Sequence, residues 1–396
     1  MVGDESTSRP DTRLRRLRDE LDSVDARIVE ALADRLRVIG VISAFKEAQP
    51  GRQLRDRDRE EALLQHLQEH ARDLRLDPHF VTRLFREILD YSVRCQEDHL
   101  LGRARGADHP TVVGYQGAEG AWGHIAAQRH FGVRGSDVEY RAFDSFREVL
   151  EAVRSGAVEF GMLPIENTTA GSINEVYDLL AQMDLSLVGE EIQKVDHCLM
   201  ALEEIPLERI RRILSHPQAI AQCAGFLAGL RHSHVESFAN TALAARKVRD
   251  DKDLSQAAIG SEEAARRWGL TVVARNITDH RENYTRFVVV GSNSIACDQR
   301  IVCKTSLIFA TKHKQGALVA SLNVLAAHGL NLTKLESRPR PGSPWEYIFY
   351  VDFEGNLQDA ATEGALRELT SHVLFLKVLG CYPARTHPAR RNAPTS

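Results

Sequence analysis

The pattern of hydrophobic and polar positions changes twice along the chain and divides it into three segments. Between residues 11 and 100, apolar side chains recur at three- and four-residue steps, which predicts amphipathic helices. A second helix is predicted to start near Asp56 and a third after Pro78. The first segment is therefore predicted to be an all-α bundle. The apolar positions of its first helix are Leu14, Leu17, Leu21, Val24, Ile28, Leu32, Ile39 and Ile42.

The first helix is too long for its own segment to cover. Unbroken as far as Ala48, it would measure roughly 55 Å at a rise of 1.5 Å per residue. A helix of that length is stabilised mainly by packing its apolar face, so we expect a second copy of the chain to supply the missing contacts. The sequence therefore predicts an intertwined homodimer and leaves larger assemblies open.

The second segment, residues 110–291, alternates short apolar runs with helical patterns. The runs fall at 111–114, 160–163, 185–188, 213–215, 257–260 and 287–291. This alternation predicts an α/β fold. We expect two lobes with a cleft between them, the chain leaving the first lobe near residue 187 and returning near residue 273.

The third segment, residues 304–383, is predicted to be a smaller α+β domain. Its pattern gives strand 304–311, helix 316–328, strands 331–337 and 345–353, helix 358–372 and strand 374–381. This βαββαβ order is typical of a ferredoxin-like fold.

Composition narrows the function classes. A formal net charge of -4 over 396 residues gives no electrostatic reason to expect nucleic acid. The six cysteines are scattered without a CxxC pair, which predicts reduced thiols in a cytoplasmic protein and no metal site. The charged N-terminus lacks the apolar core of a secretory signal, and no apolar run is long enough to span a membrane.

Charged residues on the apolar face of the first helix are the first functional signal. Arg35 and Lys46 lie eleven residues apart, close to three whole turns, and so share that face. Arg18 is rotated by roughly 100° from Arg35 and is better placed to serve a partner chain.

The second and third helices add polar positions that we expect to face the same bundle interior. These are Asp56, Arg59 and Glu60 in the second helix, and Ser92 and Gln96 in the third. Each residue alone is compatible with an exposed helix surface. Together they predict a pocket for a small dianion that carries a hydroxyl group.

With these residues, the first segment resembles the all-helical class of chorismate mutases. The resemblance implies rearrangement of chorismate to prephenate without acid, base or nucleophile. It implies that Lys46 and Gln96 donate to the breaking ether oxygen and that Glu60 takes the ring hydroxyl. It also implies that Arg35, Arg59 and the partner's Arg18 hold the carboxylates, and that Asp56 and Ser92 belong to the same site.

Four motifs of the second segment resemble prephenate dehydratases, which have a two-lobed fold like that of periplasmic binding proteins. They are GAEGAWGHIAA (117–127), PIENTTAGSIN (164–174), SHPQAIAQC (215–223) and NYTRFVVV (283–290). The resemblance implies decarboxylation and dehydration of prephenate to phenylpyruvate. The sequence departs from the family at Ala121 and Gly123, where hydroxyl residues are common, so two substrate donors are missing.

Hydroxide is a poor leaving group and needs a proton or a strong donor, a role that we expect of Thr285. We expect Asn167, Thr168, Ser215 and Gln218 to orient the substrate, and Arg286 to lie near its carboxylates. Glu166 is either an acid or a brace of its loop. His197 and His216 are interpreted as structural.

The third segment resembles ACT domains, which are amino-acid-sensing modules. The matching motifs are Gly316-Ala317-Leu318-Val319 and Glu336-Ser337-Arg338-Pro339. The resemblance implies that L-phenylalanine binds between two such domains and inhibits the dehydratase. A ferredoxin-like domain that only dimerises is the alternative.

In this order the three segments resemble the bifunctional chorismate mutase–prephenate dehydratases, which need no metal or organic cofactor. Three alternatives stay open. The first is that the second substrate is arogenate. The second is that the chain is a phenylalanine-binding regulatory protein with an inactive cleft, and the third is that it is a mutase with an inert appendage.

Overall fold

A computed structural model describes residues 8–47, 55–102, 110–134, 138–340 and 346–385. The chain divides into two compact units, Met1–Leu100 and Leu101–Ser396. Among the described residues, no helix is both long enough and apolar enough to cross a membrane.

The first unit contains the three expected helices, α1 (Ser8–Glu47), α2 (Arg57–Asp73) and α3 (Pro78–Gly102). Helix α2 starts where Asp56 accepts a hydrogen bond from the backbone N–H of Arg59, at 3.0 Å. Helices α2 and α3 are tied by a hydrogen bond of 3.0 Å from Gln68 Nε2 to Thr82 Oγ1.

Helix α1 leaves its apolar face uncovered within one chain. Leu21 is 59% exposed and Ile28 is 53% exposed, although both lie on the predicted apolar stripe. A 40-residue helix with such a face is not stable in water by helix propensity alone.

The first lobe of the second unit is a six-stranded mixed sheet. Its strands are β1 (Thr111–Gln116), β2 (Val138–Phe143), β3 (Phe160–Asn167), β4 (Gly171–Ser172), β5 (Ser186–Lys194) and, later in the chain, β11 (Tyr284–Gly291). The order is β2-β1-β3-β11-β5, with β4 paired to β3. Its helices are α4 (Trp122–Phe131), α5 (Phe146–Ser155) and α6 (Asn174–Gln182).

The second lobe is a five-stranded sheet with the order β10-β6-β9-β7-β8. Its strands are β6 (Cys198–Ala201), β7 (Arg212–Ser215), β8 (His234–Ser237), β9 (Gln256–Gly260) and β10 (Thr271–Ala274). Its helices are α7 (Pro217–Gln222), α8 (Ala224–Ala228), α9 (Thr241–Asp251) and α10 (Glu262–Trp268).

The predicted crossings between the lobes, near 187 and 273, were wrong. Strand β5 continues to Lys194, which pairs with Tyr284 at the start of β11. The acidic pair Glu190 and Glu191 is untypical of a buried strand, but both carboxylates are buried within β5 and paired with basic side chains. The lobes are therefore joined at 195–197 and 275–283.

The C-terminal part has the predicted βαββαβ order and an antiparallel sheet β13-β14-β12-β15, the ferredoxin-like arrangement. Its elements are β12 (Cys303–Thr311), α11 (Ala317–Ala327), β13 (Asn331–Pro339), β14 (Tyr347–Glu354), α12 (Ala360–His372) and β15 (Val373–Pro383).

This C-terminal sheet shares a hydrophobic core with the first lobe. Ile308, Tyr350 and Leu379 belong to the same buried cluster as Leu187 and Val288. At Gly380 the two backbones approach so closely that an added Cβ would lie 2.0 Å from the carbonyl oxygen of Leu187. A side chain at residue 380 would therefore force the two layers apart.

Candidate functional sites

In the helical unit, three of the predicted residues lie on the inner faces of α1 and α3. Arg35 donates a hydrogen bond to Ser92 Oγ, and Ser92 Oγ donates to the carbonyl of Ile88 at 2.7 Å. Ser92 and Gln96, one turn apart on α3, are both buried. Burial lowers the pKa of Arg35, a guanidinium that still stays charged because its ordinary value is 12.5.

The rest of the predicted mutase site is only partly assembled in one chain. Glu60 is held by Arg55 at 2.9 Å, and Arg55 also lies 3.4 Å from Asp90. Sequence reasoning missed Arg55, whose place just before α2 was the available signal. Asp56 caps α2, so its carboxylate is occupied by the helix start.

The other three predicted cations do not contact this group within one chain, as far as the structure describes them. Arg59 and Arg18 are exposed. Lys46 lies in α1, but its side chain is outside the described part of the structure. The described geometry therefore gives the mutase site the half-buried cation Arg35 beside two buried polar side chains of α3.

A cleft of about 330 Å³ lies between the two lobes of the second unit. Its polar lining comes from the ends of β1, β3 and β11 in the first lobe, from α7 and the start of α9 in the second, and from His197 in a connection between the lobes. Polar or aromatic lining residues are Gln116, Trp122, Phe146, Asn167, His197, His216, Gln218, Gln222, Asn240, Thr241, Thr285 and Phe287.

Asn167 holds this site together. Its Nδ2 donates to Thr285 Oγ1 and to Asn283 Oδ1, each at 2.9 Å, while its Oδ1 accepts from the backbone N–H of Thr169 at 3.0 Å. Because Thr285 Oγ1 accepts from an amide, its own hydroxyl proton is free to point into the cleft. Asn167 is the last residue of strand β3, so this network lies at the end of the strand.

Gln222 and His197 are further functional candidates in the cleft. The sequence analysis did not single out Gln222, and it interpreted His197 as structural. Gln222 Nε2 donates to Thr169 Oγ1 at 2.7 Å, and its Oε1 lies 3.1 Å from His197 Nε2. An amide oxygen only accepts, so Nε2 of His197 carries the proton. The available signal for Gln222 was its four-residue spacing from Gln218 in the SHPQAIAQC motif.

Burial lowers the pKa of His197 to about 4, because the charged imidazolium would lose its hydration. The ring is therefore neutral at pH 7. Its Nδ1 is buried and has no partner among the described residues, so it presents a lone pair next to the cleft. Burial also lowers the pKa of His216, whose Nδ1 accepts from the N–H of Gln218 at 3.2 Å and caps α7.

Three residues predicted to touch prephenate lie outside this cleft. Ser215 is fully buried and donates to the carbonyl of Ile259 at 2.7 Å, which joins β7 to β9. Thr168 Oγ1 donates to the Glu282 carbonyl at 3.0 Å and accepts from the N–H of Tyr284 at 2.9 Å. Glu166 is paired with Lys334 at 3.1 Å, which favours the bracing role over the acid role.

Arg286 was also misplaced, because neighbouring residues of a strand point to opposite faces. Thr285 faces the cleft, whereas Arg286 faces the C-terminal sheet. Its guanidinium lies 2.7 Å from Glu190 and 2.5 Å from Asp352, and Lys304 adds a second bond to Glu190 at 2.7 Å.

The ionisation of this buried group follows from its pairing. Burial raises the pKa of Glu190, but Arg286 and Lys304 lower it more, to about 2. Burial likewise lowers the pKa of Arg286, and Asp352 and Glu190 raise it to well above its ordinary value. The ion pair therefore joins the two domains and does not contact substrate.

The departures at Ala121 and Gly123 leave the start of α4 open toward the cleft. Ala121 offers no side-chain cap to this helix, so its first N–H groups have no such partner. A Cβ on Gly123 would meet only ordinary contacts, the nearest being the Gln116 carbonyl oxygen at 3.6 Å. The site therefore has space for a serine at residue 123 but does not contain its hydroxyl.

The described lining of the cleft is polar without being ionised. Among the described residues that line it, none is Lys, Arg, Asp or Glu. The starts of α4 and α9, with partial positive charge, are directed at it instead, through Trp122 and Thr241.

In one chain, the two C-terminal motifs lie apart. Gly316, Ala317, Leu318 and Val319 line a pocket of about 210 Å³ at the start of α11, where Gly316 has a φ of +76°. Glu336 and Arg338 face the first lobe. Glu336 accepts from Ser172 Oγ at 2.5 Å, and Arg338 pairs with Asp178 at 2.7 Å. Ser337 and Pro339 point the other way and are exposed.

The fold combines a helical unit, in which Arg35 meets buried polar side chains, with a two-lobed α/β unit that encloses a polar cleft. The prephenate dehydratase family model matches residues 113–295, and the chorismate mutase type II model matches residues 17–97. A bifunctional chorismate mutase/prephenate dehydratase from Enterobacter agglomerans is 39% identical over 383 residues, which is 95% of this chain and 97% of the relative. The chain belongs to this bifunctional family.

Two further relatives each cover about 70% of this chain. An arogenate dehydratase/prephenate dehydratase from Arabidopsis thaliana is 38% identical and covers 69% of this chain and 73% of its own. The crystal structure of prephenate dehydratase from Arthrobacter aurescens in complex with L-Phe has a TM-score of 0.63 and 27% identity. It covers 70% of this chain and 93% of that one.

Proposed function

We propose that this chain rearranges chorismate to prephenate in its helical unit and converts prephenate to phenylpyruvate in the two-lobed cleft, two steps of phenylalanine biosynthesis. The observation that carries the second activity is the Asn167–Thr285 hydrogen bond, which leaves the Thr285 hydroxyl proton free to be donated into a cleft whose described lining has no ionised side chain. The domains are residues 11–100, 110–291 and 304–383.

In the mutase reaction, the charged residues hold a dianion in its reactive conformation. Arg35 binds one carboxylate. Lys46 and Gln96 donate to the ether oxygen, where negative charge develops as the C–O bond breaks. Glu60, positioned by Arg55, accepts from the ring hydroxyl. Because no proton is transferred, fixed geometry and fixed charge supply the rate.

In the dehydratase reaction, Thr285 donates its hydroxyl hydrogen bond to the departing ring hydroxyl. The electrons of the broken C–C bond enter the ring as carbon dioxide leaves, and the ring becomes aromatic. A cation on the leaving carboxylate would oppose its decarboxylation, which agrees with the absence of Lys and Arg from the described lining. Gln218, Gln222 and Asn240 orient the polar groups of the substrate.

The assembly that we propose is a homodimer formed through α1. The exposed apolar residues of this helix include Leu14, Leu17, Leu21, Val24 and Ile28, a length that a second α1 can match. In such a dimer Arg18 reaches the mutase site of the partner subunit.

The C-terminal domain acts as an ACT domain that binds L-phenylalanine. The pocket at Gly316 offers backbone N–H groups of α11 to a carboxylate. The second motif lies elsewhere in the same chain, so a complete site requires the Glu336–Pro339 strand of a second copy. The L-Phe complex of the Arthrobacter aurescens relative supports an effector of this kind.

Contacts of the second motif give a route from effector to cleft. Lys334 and Glu336 contact Glu166 and Ser172, and these flank the turn that Asn167 organises. Arg338 holds Asp178 on α6, the helix that follows the turn. A shift of β13 on phenylalanine binding therefore displaces Asn167, and with it Thr285.

The test supplies chorismate to the purified chain and follows chorismate loss and phenylpyruvate, with and without L-phenylalanine. We expect phenylpyruvate to form, and to fall when phenylalanine is present. Accumulation of prephenate without phenylpyruvate would refute prephenate as the substrate of the cleft. The chain is then supplied with arogenate, and turnover of arogenate alone would identify arogenate as the second substrate.

The same assay on two variants tests the regulatory site. Gly316→Trp fills the pocket, and Arg338→Ala frees β13 from Asp178. Both should keep mutase activity and lose inhibition, and inhibition that survives in both would show that the effector binds elsewhere.

A further inference from the structure

Three of the six cysteines, scattered in the sequence, meet in the folded chain. Cys297 precedes the C-terminal domain, Cys303 starts β12, and Cys381 lies near the end of β15. Their three Sγ atoms all lie within 4.8 Å of one another. The residues are 2%, 3% and 2% exposed, so the cluster is closed to solvent.

Strand pairing brings two of the sulfurs together. Strands β12 and β15 are antiparallel neighbours, with Cys303 opposite Pro383 and Thr305 opposite Cys381. Residues two apart on a strand share a face, so both thiols emerge on the same side of the sheet. Cys297 reaches that side from the segment that follows the last strand of the first lobe.

The spacing suits a thiophilic metal ion. Zinc–sulfur bonds of about 2.3 Å in a tetrahedral site separate neighbouring sulfurs by about 3.8 Å. Sulfurs already within 4.8 Å of one another therefore need only a small inward movement. Three buried thiols also provide the soft donors that favour zinc over magnesium or calcium.

Asn356 provides the polar groups that such a site needs around it. Its Nδ2 lies 3.6 Å from Cys303 Sγ and can donate to a thiolate. The Cys381 thiol lies 3.9 Å from Asn356 Oδ1 and 4.0 Å from the Gly355 carbonyl oxygen, so it has only weak, long hydrogen bonds to lose on deprotonation. Three thiolates and one Zn²⁺ leave a net charge of -1 beside the Asn356 amide.

We infer that Cys297, Cys303 and Cys381 form a structural zinc site. The ion would tie the segment after β11 to both strands at the centre and edge of the C-terminal sheet. The reaction does not involve it. Its effect would be to fix the regulatory domain against the lobe that carries Thr285.

The test measures zinc binding by the full chain. Protein is stripped with a chelator under reducing conditions, dialysed against Zn²⁺ and analysed for bound metal. We expect one ion per chain, and at least a tenfold loss of affinity in each of Cys297→Ser, Cys303→Ser and Cys381→Ser. Cys198→Ser and Cys223→Ser, at the buried thiols of the second lobe, are the matched controls and should keep the ion.

A second measurement needs no substitution and so does not depend on variant folding. The stripped chain is loaded with Co²⁺ and examined for the thiolate-to-cobalt charge-transfer band. Alkylation of each cysteine is then compared with and without Zn²⁺ by peptide mass, at a urea concentration just below the unfolding transition, where buried thiols become transiently accessible. We expect the band, and zinc protection at these three cysteines alone. Absence of both, or a disulfide within the cluster in the freshly isolated chain, would overturn the assignment.

Discussion

The two sites that we propose for closely related acids differ in the charge of their side chains. The helical unit places the guanidinium of Arg35 beside buried Ser92 and Gln96, and it also contains the ion pair of Glu60 and Arg55 near the start of α2. The cleft of the second unit uses amides, a hydroxyl, neutral histidines and helix starts. A rearrangement benefits from charges that hold both carboxylates, whereas a decarboxylation is slowed by a cation on the group that must leave. The chemistry of the step, and not the charge of the substrate, decides which side chains the site contains.

The largest expected effect comes from removing the cation of the helical site. Arg35→Ala should lower kcat/KM for chorismate by about 10³-fold, because a preorganised donor is lost from a dianion site. Conversion of prephenate should stay within about twofold. Steady-state kinetics on the two substrates measures both. Arg37→Ala, two residues along α1 and paired with the exposed Asp34, is the matched control. Equal losses in both reactions would contradict the separation of the sites.

The reciprocal change is made at Thr285. Thr285→Val keeps the shape and removes the donor, so kcat for prephenate should fall by about 10²- to 10³-fold while mutase kinetics stay unchanged. Thr285→Ser should recover most of the activity. Ser215→Ala, which removes a buried hydroxyl outside the cleft, should cost stability and leave kcat nearly unchanged. A large loss of kcat in Ser215→Ala would show that the substrate site extends to Ser215, beyond the described cleft lining.

Lowering the pH should destabilise the second unit, because it contains the buried ion pairs of Glu190. The folded-state pKa of Glu190, about 2, lies below its ordinary value of 4.5. Its ion pairs therefore stabilise the fold above about pH 4.5, and this contribution, about 3 kcal/mol, is lost as pH falls toward 2. The tryptophans, at residues 122, 268 and 345, all belong to the second unit. The free energy of unfolding in urea, followed by tryptophan fluorescence, should therefore fall as the pH falls. Glu190→Gln should flatten this pH dependence.

Ionic strength should change the KM values of the two sites to different extents, and this effect is smaller than those above. Raising ionic strength from about 0.05 to 0.5 M shortens the screening length, so KM for chorismate should rise several-fold. KM for prephenate should change by less than about twofold, because ionised side chains are absent from the described cleft lining. Initial rates at several salt concentrations measure both constants. A steeper dependence for prephenate would place a cation near the cleft.

The smallest expected effect is at the open start of α4. Gly123→Ser adds a donor where a Cβ fits without close contact. One added hydrogen bond of about 1 kcal/mol should lower KM for prephenate by about threefold to fivefold. Gly132→Ser, where a Cβ would meet nothing within 4 Å, is the control. A higher KM in Gly123→Ser alone would mean that the glycine is required for substrate to fit.

Hydrophobic periodicity predicted the three helices of the first unit, the βαββαβ order of the C-terminal part and six strands of the two lobes, because burial of apolar faces decides these elements. It did not indicate β2, β4, β6, β8 or β10. It failed where charged side chains are buried, as at Glu190 and Glu191, whose partners come from distant parts of the chain. The alternation of side chains along a strand, applied to β11, would have placed Thr285 and Arg286 on opposite faces of the sheet. The SHPQAIAQC motif includes Gln222, but the sequence does not indicate the hydrogen bond of Gln222 to Thr169.

Other features could not be derived from local periodicity alone. The meeting of Cys297, Cys303 and Cys381 depends on which strands of the C-terminal sheet are neighbours. The attachment of Glu336 and Arg338 to the first lobe depends on how two domains pack. Such contacts follow from tertiary arrangement, which local periodicity does not specify.

Gly380 limits how this chain can be recombined with others. Its backbone lies against the Leu187 carbonyl with no space for even one methyl group. A C-terminal domain from another protein could reproduce the strand order and effector pocket and still fail to seat on this lobe, unless it carries glycine at the equivalent point of its last strand. The domain that would regulate the enzyme is thus not a freely exchangeable module, and a single missing side chain sets the condition for any transplant.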